Sequence, residues 1–298
     1  MKSTFLLSIF SICLPQIAFA SSSYLQIASW NLKHLGRKKT NIEAIAQQLK
    51  TVDLVTFQEV NTNNHGKTAL WQIRDLLKLH HKAKICTALS EIPSEANLRY
   101  AYLWLNSKVS YVKTNGEIMN DCPDSALTIR LGVKNHKKIR REPAMGTFLV
   151  KGTEIKFILA SVHLRPTKSK PELEVPPLFD SFQDILQPVI IAGDFNLDSN
   201  HLSFQSAHTA KFKAAFRNSP TSLKRESKEL SKPYDNFWYR NAELTDQKVV
   251  NLYEVLPKMS QKDIYYNVSD HSPIFATIKF QQKNQNLIKM TNSLKTDP

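Results

Sequence analysis

The chain has 298 residues, 42% of them hydrophobic, enough to bury a large core in one α/β domain or two small ones. Lys and Arg number 40 against 26 Asp and Glu, and the net charge of +14 points to a polyanionic partner, nucleic acid first and an anionic membrane surface second. The sequence carries no internal repeat, no low-complexity tract, no zinc-type Cys/His spacing and, beyond its first 20 residues, no segment apolar enough to span a bilayer.

Residues 1–20 read as a secretory signal: Lys2 supplies the positive start, Phe5 to Leu14 the apolar stretch, and Ala18-Phe19-Ala20 the cleavage site. The mature chain then begins near Ser21, and the expected location is outside the cell or in a periplasm. Cys13 leaves with the signal. Cys86 and Cys122 remain, either as one disulfide in an oxidising compartment or as two buried thiols.

Residues 24–30 alternate and run into Trp30-Asn31-Leu32, a first strand. Thr40-Asn41 followed by Glu43 starts a helix whose Ile42, Ile45, Ala46 and Leu49 share a face. Leu54 to Phe57 is a short buried strand ending at Gln58-Glu59, and Leu70 to Leu79 has helical spacing. Strands are expected over about 83–88, 99–105, 108–113, 145–150 and 154–164, the last two forming a hairpin across Lys151-Gly152-Thr153. Pro- and Lys-rich residues 166–177 read as a surface loop and 178–186 as a helix. Val189 to Ala192 is a buried strand stopped by Gly193. Residues 217–233 read as charged loop, Phe237-Trp238-Tyr239 and Ile274 to Phe280 as strands, and 281–298 as a polar tail. With no linker in sight, residues 21–280 are expected to form one domain.

Chemistry concentrates where apolar runs end. Ser29-Trp30-Asn31, Gln58-Glu59, Ser161-Val162-His163, Gly193-Asp194-Phe195-Asn196, Tyr234-Asp235-Asn236 and Ser269-Asp270-His271-Ser272 each follow or open a strand. Any one of them could be only a turn. Together they gather acids, amides and imidazoles in one pattern. Asn31, Glu59, Asp194, Asn196 and Asp270 offer the oxygen atoms that hard divalent cations prefer. His163 and His271 can move protons near neutral pH.

Trp-Asn-Leu at 30–32, Gln-Glu-Val at 58–60, Val-His-Leu at 162–164, Gly-Asp-Phe-Asn at 193–196 and Ser-Asp-His-Ser-Pro at 269–273 occur in that order. The ordered set resembles the endonuclease/exonuclease/phosphatase superfamily, over roughly residues 24–280. Lys108-Val109-Ser110 and Arg141-Glu142-Pro143-Ala144 resemble its deoxyribonuclease I branch. The resemblance implies an α/β fold, a four-layer sandwich of two mainly antiparallel central sheets flanked by helices. It implies metal-dependent hydrolysis of phosphodiesters in nucleic acid, DNA first and RNA second, by a monomer that does not insert into membranes. Mg²⁺ is the implied cofactor, with Mn²⁺ or Ca²⁺ as substitutes. Glu59 would bind the cation, with Asn31 and Asp270 close to it. Asp194 and Asn196 would orient the attacking water and the phosphate. His271, paired with Asp235, would be the general base. His163 would protonate the leaving oxygen or stabilise the charged transition state, and Arg141 would hold a backbone phosphate by a bidentate contact.

Two positions depart from that branch. The glutamate that usually supports the first histidine is replaced by Leu98, before Arg99-Tyr100, so His163 lacks that carboxylate unless Glu95 or another acid reaches it. The arginine that often follows Gln-Glu-Val is replaced by Asn61. Two other functions stay open: a secreted phospholipid phosphoesterase of sphingomyelinase or phosphoinositide phosphatase type, for which 172–179 is the candidate apolar-tipped loop, and a binding module or toxin subunit with weak catalysis, for which Leu98 and Asn61 are the best support.

Overall fold

The computed structural model describes residues 24–93, 97–123, 125–132 and 138–280; the signal expected at 1–20, the tail at 281–298 and Glu95 lie outside them. Among the described residues the strands are β1 (Tyr24–Leu35), β2 (Leu54–Asn61), β3 (Ile85–Ser90), β4 (Leu98–Leu105), β5 (Val109–Val112), β6 (Ile118–Met119), β7 (Leu127–Ile129), β8 (Ala144–Val150), β9 (Lys156–His163), β10 (Val189–Asp194), β11 (Lys213–Ala214), β12 (Ser222–Leu223), β13 (Leu230–Ser231), β14 (Asp235–Arg240), β15 (Glu243–Val249) and β16 (Ile274–Lys279). The principal helices are α1 (Ile42–Gln48), α2 (Asn64–His81), α3 (Val175–Asp180) and α4 (Gln205–Thr209).

Two seven-stranded sheets result, ordered β15-β16-β1-β2-β4-β3-β7 and β11-β14-β10-β9-β8-β5-β6. The pairs β1/β2, β9/β10 and β3/β7 are parallel; the other pairings are antiparallel. Period-two alternation decides what each face meets. On β1, Leu25 and Ile27 enter the layer between the sheets, while Ala28, Trp30 and Leu32 pack under α1 and α2. On β9, Phe157 and Leu159 enter the same central layer, and Ile158, Ala160 and Val162 pack against α3 and α4. Three apolar layers separate four layers of backbone, the α/β/β/α sandwich that the resemblance implied.

The helices start where side chains can satisfy free N–H groups. Asn41 caps α1 by accepting from Ala44 N, and Asn63 caps α2 by accepting from Gly66 N. The 145–150/154–164 hairpin is present as β8–β9. Cys86 of β3 and Cys122 form a disulfide, Cα atoms 4.9 Å apart, joining the edges of the two sheets.

Three stretches differ from their sequence expectation. Residues 166–177 are not a plain surface loop: Pro171, Glu174, Val175 and Pro177 are buried, and α3 begins at Val175 instead of 178. Proline suits a first helical turn, whose N–H groups are free anyway, so Pro176 and Pro177 open the helix instead of blocking it. Of the apolar residues in 172–179, Leu173 is exposed while Val175, Leu178 and Phe179 are fully buried, which removes the expected membrane-facing tip. The charged stretch 217–233 contains the small β12–β13 pair. β15 had no sequence signal, because it is an edge strand with most of its side chains in solvent.

Candidate active site

Parallel β1/β2 and β9/β10 bring four C-terminal ends to one rim, and antiparallel β14 and β16 bring their N-terminal starts to the same rim. Along each of these strands the face that is apolar mid-sheet turns polar here: Ser29 and Asn31 on β1, Thr56 and Gln58 on β2, Ser161 and His163 on β9, Asp194 on β10. His163, Asp194 and Asp235 lie side by side in register across three strands. His271 precedes β16 and bridges to Ser222.

Local backbone explains two of the motifs. Gly193 has φ +147°, and a Cβ there would stand 2.0 Å from the Val162 carbonyl oxygen, so no other residue fits before Asp194. Glu59 is a non-glycine residue at φ +60°, within the register shift between Phe57 and Val60 on β2. Such a conformation is costly and is kept where surrounding structure fixes it, commonly at functional sites.

The carboxylates converge. Asn31 Nδ2 donates to Glu59 Oε1 at 3.2 Å and to Asp194 Oδ2 at 3.1 Å, while its Oδ1 accepts from Lys33 N at 3.0 Å. Asn31 therefore ties the two carboxylates together as a donor; the oxygen it was expected to offer a cation is turned the other way. His163 Nε2 lies 3.6 Å from both Glu59 Oε1 and Asp194 Oδ2. His271 Nδ1 meets Asp235 Oδ2 at 2.7 Å, leaving its Nε2 3.7 Å from Asp194 Oδ2. Asn196 N donates to Asp194 Oδ1 at 2.8 Å, and Asn196 Nδ2 reaches Leu164 O. Arg141 Nη1 donates to His163 O at 3.3 Å. Asp270 pairs with Lys33 Nζ at 2.9 Å and adds to the negative charge around His271. A cleft of about 590 Å³ opens over the group, lined among others by Leu98, Asn61, Arg140 and Arg141. Leu98 presents an apolar side chain here, and Glu59 and Asp194 are the acids beside His163.

Burial sets the charges. It raises the Asp194 carboxyl to about 7; His271 and the Asn196 amide oppose the rise, and Asp235 and Glu59 add to it. Burial alone would push His271 down, but Asp235 and Asp194 outweigh it and hold the imidazole well above its usual range. His163 goes well below that range, from burial first and then the cations Arg141, His271 and His34. A lowered proton affinity suits a hydrogen-bonding role in charge stabilisation.

Sequence reasoning gave no role to four contributors, of which Gln58 and Ser269 lie within the strand-end motifs. Glu174, fully buried, accepts from Arg140 N at 2.6 Å, Arg165 N at 2.7 Å and Arg165 Nε at 3.1 Å, and so fastens the segment that carries Arg141. Thr221 Oγ1 donates to Asp235 Oδ2 at 2.7 Å and accepts from Asp235 N and Tyr234 N. Ser269 Oγ donates to Asn31 O and accepts from His271 N. Gln58 Nε2 donates to Ser29 Oγ and Ser161 Oγ. A lone acid in an apolar, Pro-rich context (Leu173 to Pro177) was the one available hint for Glu174.

The donor set fits a hard divalent cation. Asp194, Asp235 and His271 form a group whose ligand atoms lie within 4.8 Å of one another. Asp235 Oδ2 and His271 Nδ1 are spent on each other, so the accessible oxygens are those of Asp194 and, beyond Asn31, Glu59. Two carboxylates held this close, one with its proton affinity raised to about 7, form a site that a divalent ion relieves by neutralising them.

A model of the Endonuclease/Exonuclease/phosphatase family matches residues 28–271. A protein named deoxyribonuclease from Thioalkalivibrio sp. (strain K90mix) is 27% identical over 286 residues, covering 89% of this chain and 73% of that protein. Among solved structures, a family protein from Bacteroides thetaiotaomicron superposes with a TM-score of 0.58 at 15% identity, covering 88% of this chain and 99% of that one. The human Nocturnin catalytic domain with bound sulfate gives 0.59 at 13% identity, covering 87% and 94%. At these identities the two structures show a shared fold. The chain belongs to the endonuclease/exonuclease/phosphatase family and is an enzyme of its phosphoesterase or nuclease type.

Proposed function

We propose that this enzyme is a divalent-cation-dependent phosphodiesterase that cuts within nucleic acid strands, DNA first, and acts outside the cytoplasm as a monomer. The observation that carries the reading is the His271–Asp235 pair, whose free Nε2 faces Asp194 while Asn31 ties Asp194 to Glu59. The basic charge and the name of the 27% identical relative support DNA. Residues 1–20 and the Cys86–Cys122 disulfide support export.

Glu59 and Asp194 would hold the cation, which would neutralise phosphate charge and polarise the phosphorus–oxygen bond. Asp235, oriented by Thr221, fixes His271 through Nδ1; a cation on Asp194 would remove one of the two negative charges that keep the imidazole protonated, and the deprotonated Nε2 would then take a proton from water. Asp194 and Asn196 aim that water. His163 and Arg141, joined through the His163 carbonyl, face the phosphate oxygens, where hydrogen bonds to developing charge stabilise the transition state.

Supercoiled plasmid, RNA and sphingomyelin, each incubated with Mg²⁺ and with EDTA, test the proposal. Nicking of plasmid with Mg²⁺ and none with EDTA is expected; release of phosphocholine with no nicking would reassign the substrate to lipid. Recovery of the protein in the cytoplasmic fraction, with Cys86 and Cys122 reduced, would overturn the location.

A further inference from the structure

Beside the cleft, on the side of Asp270, stands an aromatic and cationic shelf that the hydrolytic steps leave unused. Ile264 and Val268 are buried under the first sheet and anchor one turn of chain. The turn packs Tyr265 partly against the core and leaves Tyr266 outside, 36% exposed, with the two rings 5.2 Å apart. Arg37 clamps the turn from below, its Nε donating to Tyr266 O at 2.6 Å and Nη2 to Val268 O at 3.3 Å. Lys33 Nζ sits 3.6 Å from the Tyr265 ring centroid and 5.1 Å from that of Tyr266, and 2.9 Å from Asp270 Oδ2. Lys33 N in turn holds Asn31, the residue between the two site carboxylates. Arg225, which also pairs with Glu226, brings its guanidinium within 5.5 Å of the Tyr266 ring.

We infer that Tyr266 and Arg225 form a stacking subsite for an unpaired nucleobase next to the scissile phosphate. The inference rests on the nucleic-acid reading above and narrows it. Lys33 N bonds Asn31, which ties Glu59 to Asp194, and Lys33 Nζ lies over the Tyr265 ring, so the shelf adjoins the carboxylates that would face the phosphate. Tyr266, 36% exposed with Lys33 and Arg225 over its ring, offers a base a combined aromatic and guanidinium surface and supplies positive charge for the strand that carries it. In a duplex both faces of each base are covered by neighbours, so only a single-stranded, terminal or frayed base can use the shelf. The fixed turn means that little ordering is needed on binding. The consequence is a preference for single-stranded over paired substrate.

The test uses the full-length protein in EDTA at low salt, where hydrolysis is stopped. Binding is followed by anisotropy of a labelled oligothymidylate of roughly 12 nucleotides and of a strand with the same phosphates and abasic sugars. Unmodified protein should bind the thymidine strand about tenfold more tightly than the abasic one. Tyr266→Ala should bind both with the weaker affinity, Tyr266→Phe should restore the difference, and Arg225→Ala should reduce it. Equal affinity of the unmodified protein for both strands, no binding of either, or an equal loss on both strands in Tyr266→Ala overturns the inference. Cleavage of the same strands with Mg²⁺ is read separately. Base-dependent binding without cleavage removes the nuclease reading and leaves the shelf standing; cleavage with no base dependence does the reverse.

Discussion

Glu174→Gln probes a residue that touches no reacting atom yet sets the position of two arginines. The carboxylate accepts three hydrogen bonds on two oxygens: Oε1 takes Arg140 N and Arg165 Nε, and Oε2 takes Arg165 N. An amide can keep its oxygen in the Oε1 place, but its NH₂ then faces the Arg165 N–H. One buried donor is left without an acceptor, at a cost of about 1–3 kcal/mol, and the two remaining bonds drop from charge-assisted to neutral strength, each losing about 1 kcal/mol. The total is about 3–5 kcal/mol, which for a chain of this size moves a urea midpoint by about 1 M or more. The release is local to 138–141, so the Arg141 contact to the His163 carbonyl loosens as well. KM for plasmid should therefore rise about tenfold while kcat changes less, because a phosphate-positioning group is displaced and the proton-moving pair is not. Urea unfolding followed by fluorescence reads the first effect and steady-state nicking the second. An unfolding midpoint equal to that of the unmodified protein would refute the account, as would a collapse of kcat at constant KM.

His271→Ala should lower plasmid hydrolysis about 10²–10⁴-fold while the chain still folds, since Trp30 Nε1 bonds the His271 carbonyl and not its ring; near-normal initial rates would remove His271 from the mechanism. Replacing Cys86 and Cys122 together by Ser opens a loop of 36 residues and should cost about 4 kcal/mol in denaturant unfolding, with the unmodified protein falling to the same midpoint in reductant. In EDTA, Asp194 gives a signed dependence on pH. Its folded value, about 7, lies above its ordinary 3.8, so the stability tied to its protonated form is complete below 3.8 and is lost as pH rises through about 7. Between pH values of about 4 and 8 the unmodified protein should thus lose stability relative to Asp194→Asn, and Mg²⁺ should recover part of that loss; parallel stability curves in EDTA would show that Asp194 ionises normally.

What could be read in advance was what local chemistry writes into adjacent residues. Val189 to Ala192 followed by Gly193 states a buried strand and an abrupt stop, and the same logic placed Asn31, Glu59, His163, Asp235 and His271 at strand ends. Alternation likewise identified β1, a capping pattern α1, and helical spacing the Leu70 to Leu79 part of α2. Long-range partners carried no such mark. Thr221 sits in a charged stretch with the composition of a loop, and only the folded chain puts its hydroxyl on Asp235. Glu174 reads as a surface acid until α3 and the 138–141 segment close over it. Asp270 adjoins His271 in the chain, but Lys33, which pairs with it, comes from the far end of the sequence. The orientation of the Asn31 amide is likewise decided by a neighbouring N–H and not by residue type.

The site draws on both sheets: Asn31, Glu59 and His271 belong to the first, His163, Asp194 and Asp235 to the second. The apolar layer between the sheets holds them together without direction, since burial depends on area and tolerates a small slide. A slide of 1 Å would part His271 from Asp235 and Asn31 from Asp194, two of the hydrogen-bonded links that cross the gap at the rim. Polar groups are buried between the sheets where such a slide must be resisted. Gln58 Nε2 joins Ser29 of the first sheet to Ser161 of the second, and Tyr102 OH reaches the carbonyls of Ala144 and Leu159 across the same layer. Each such bond adds only about 1 kcal/mol net, less than apolar packing of similar area, but each fails if one sheet shifts against the other. Their contribution is register, and the catalytic geometry follows from it.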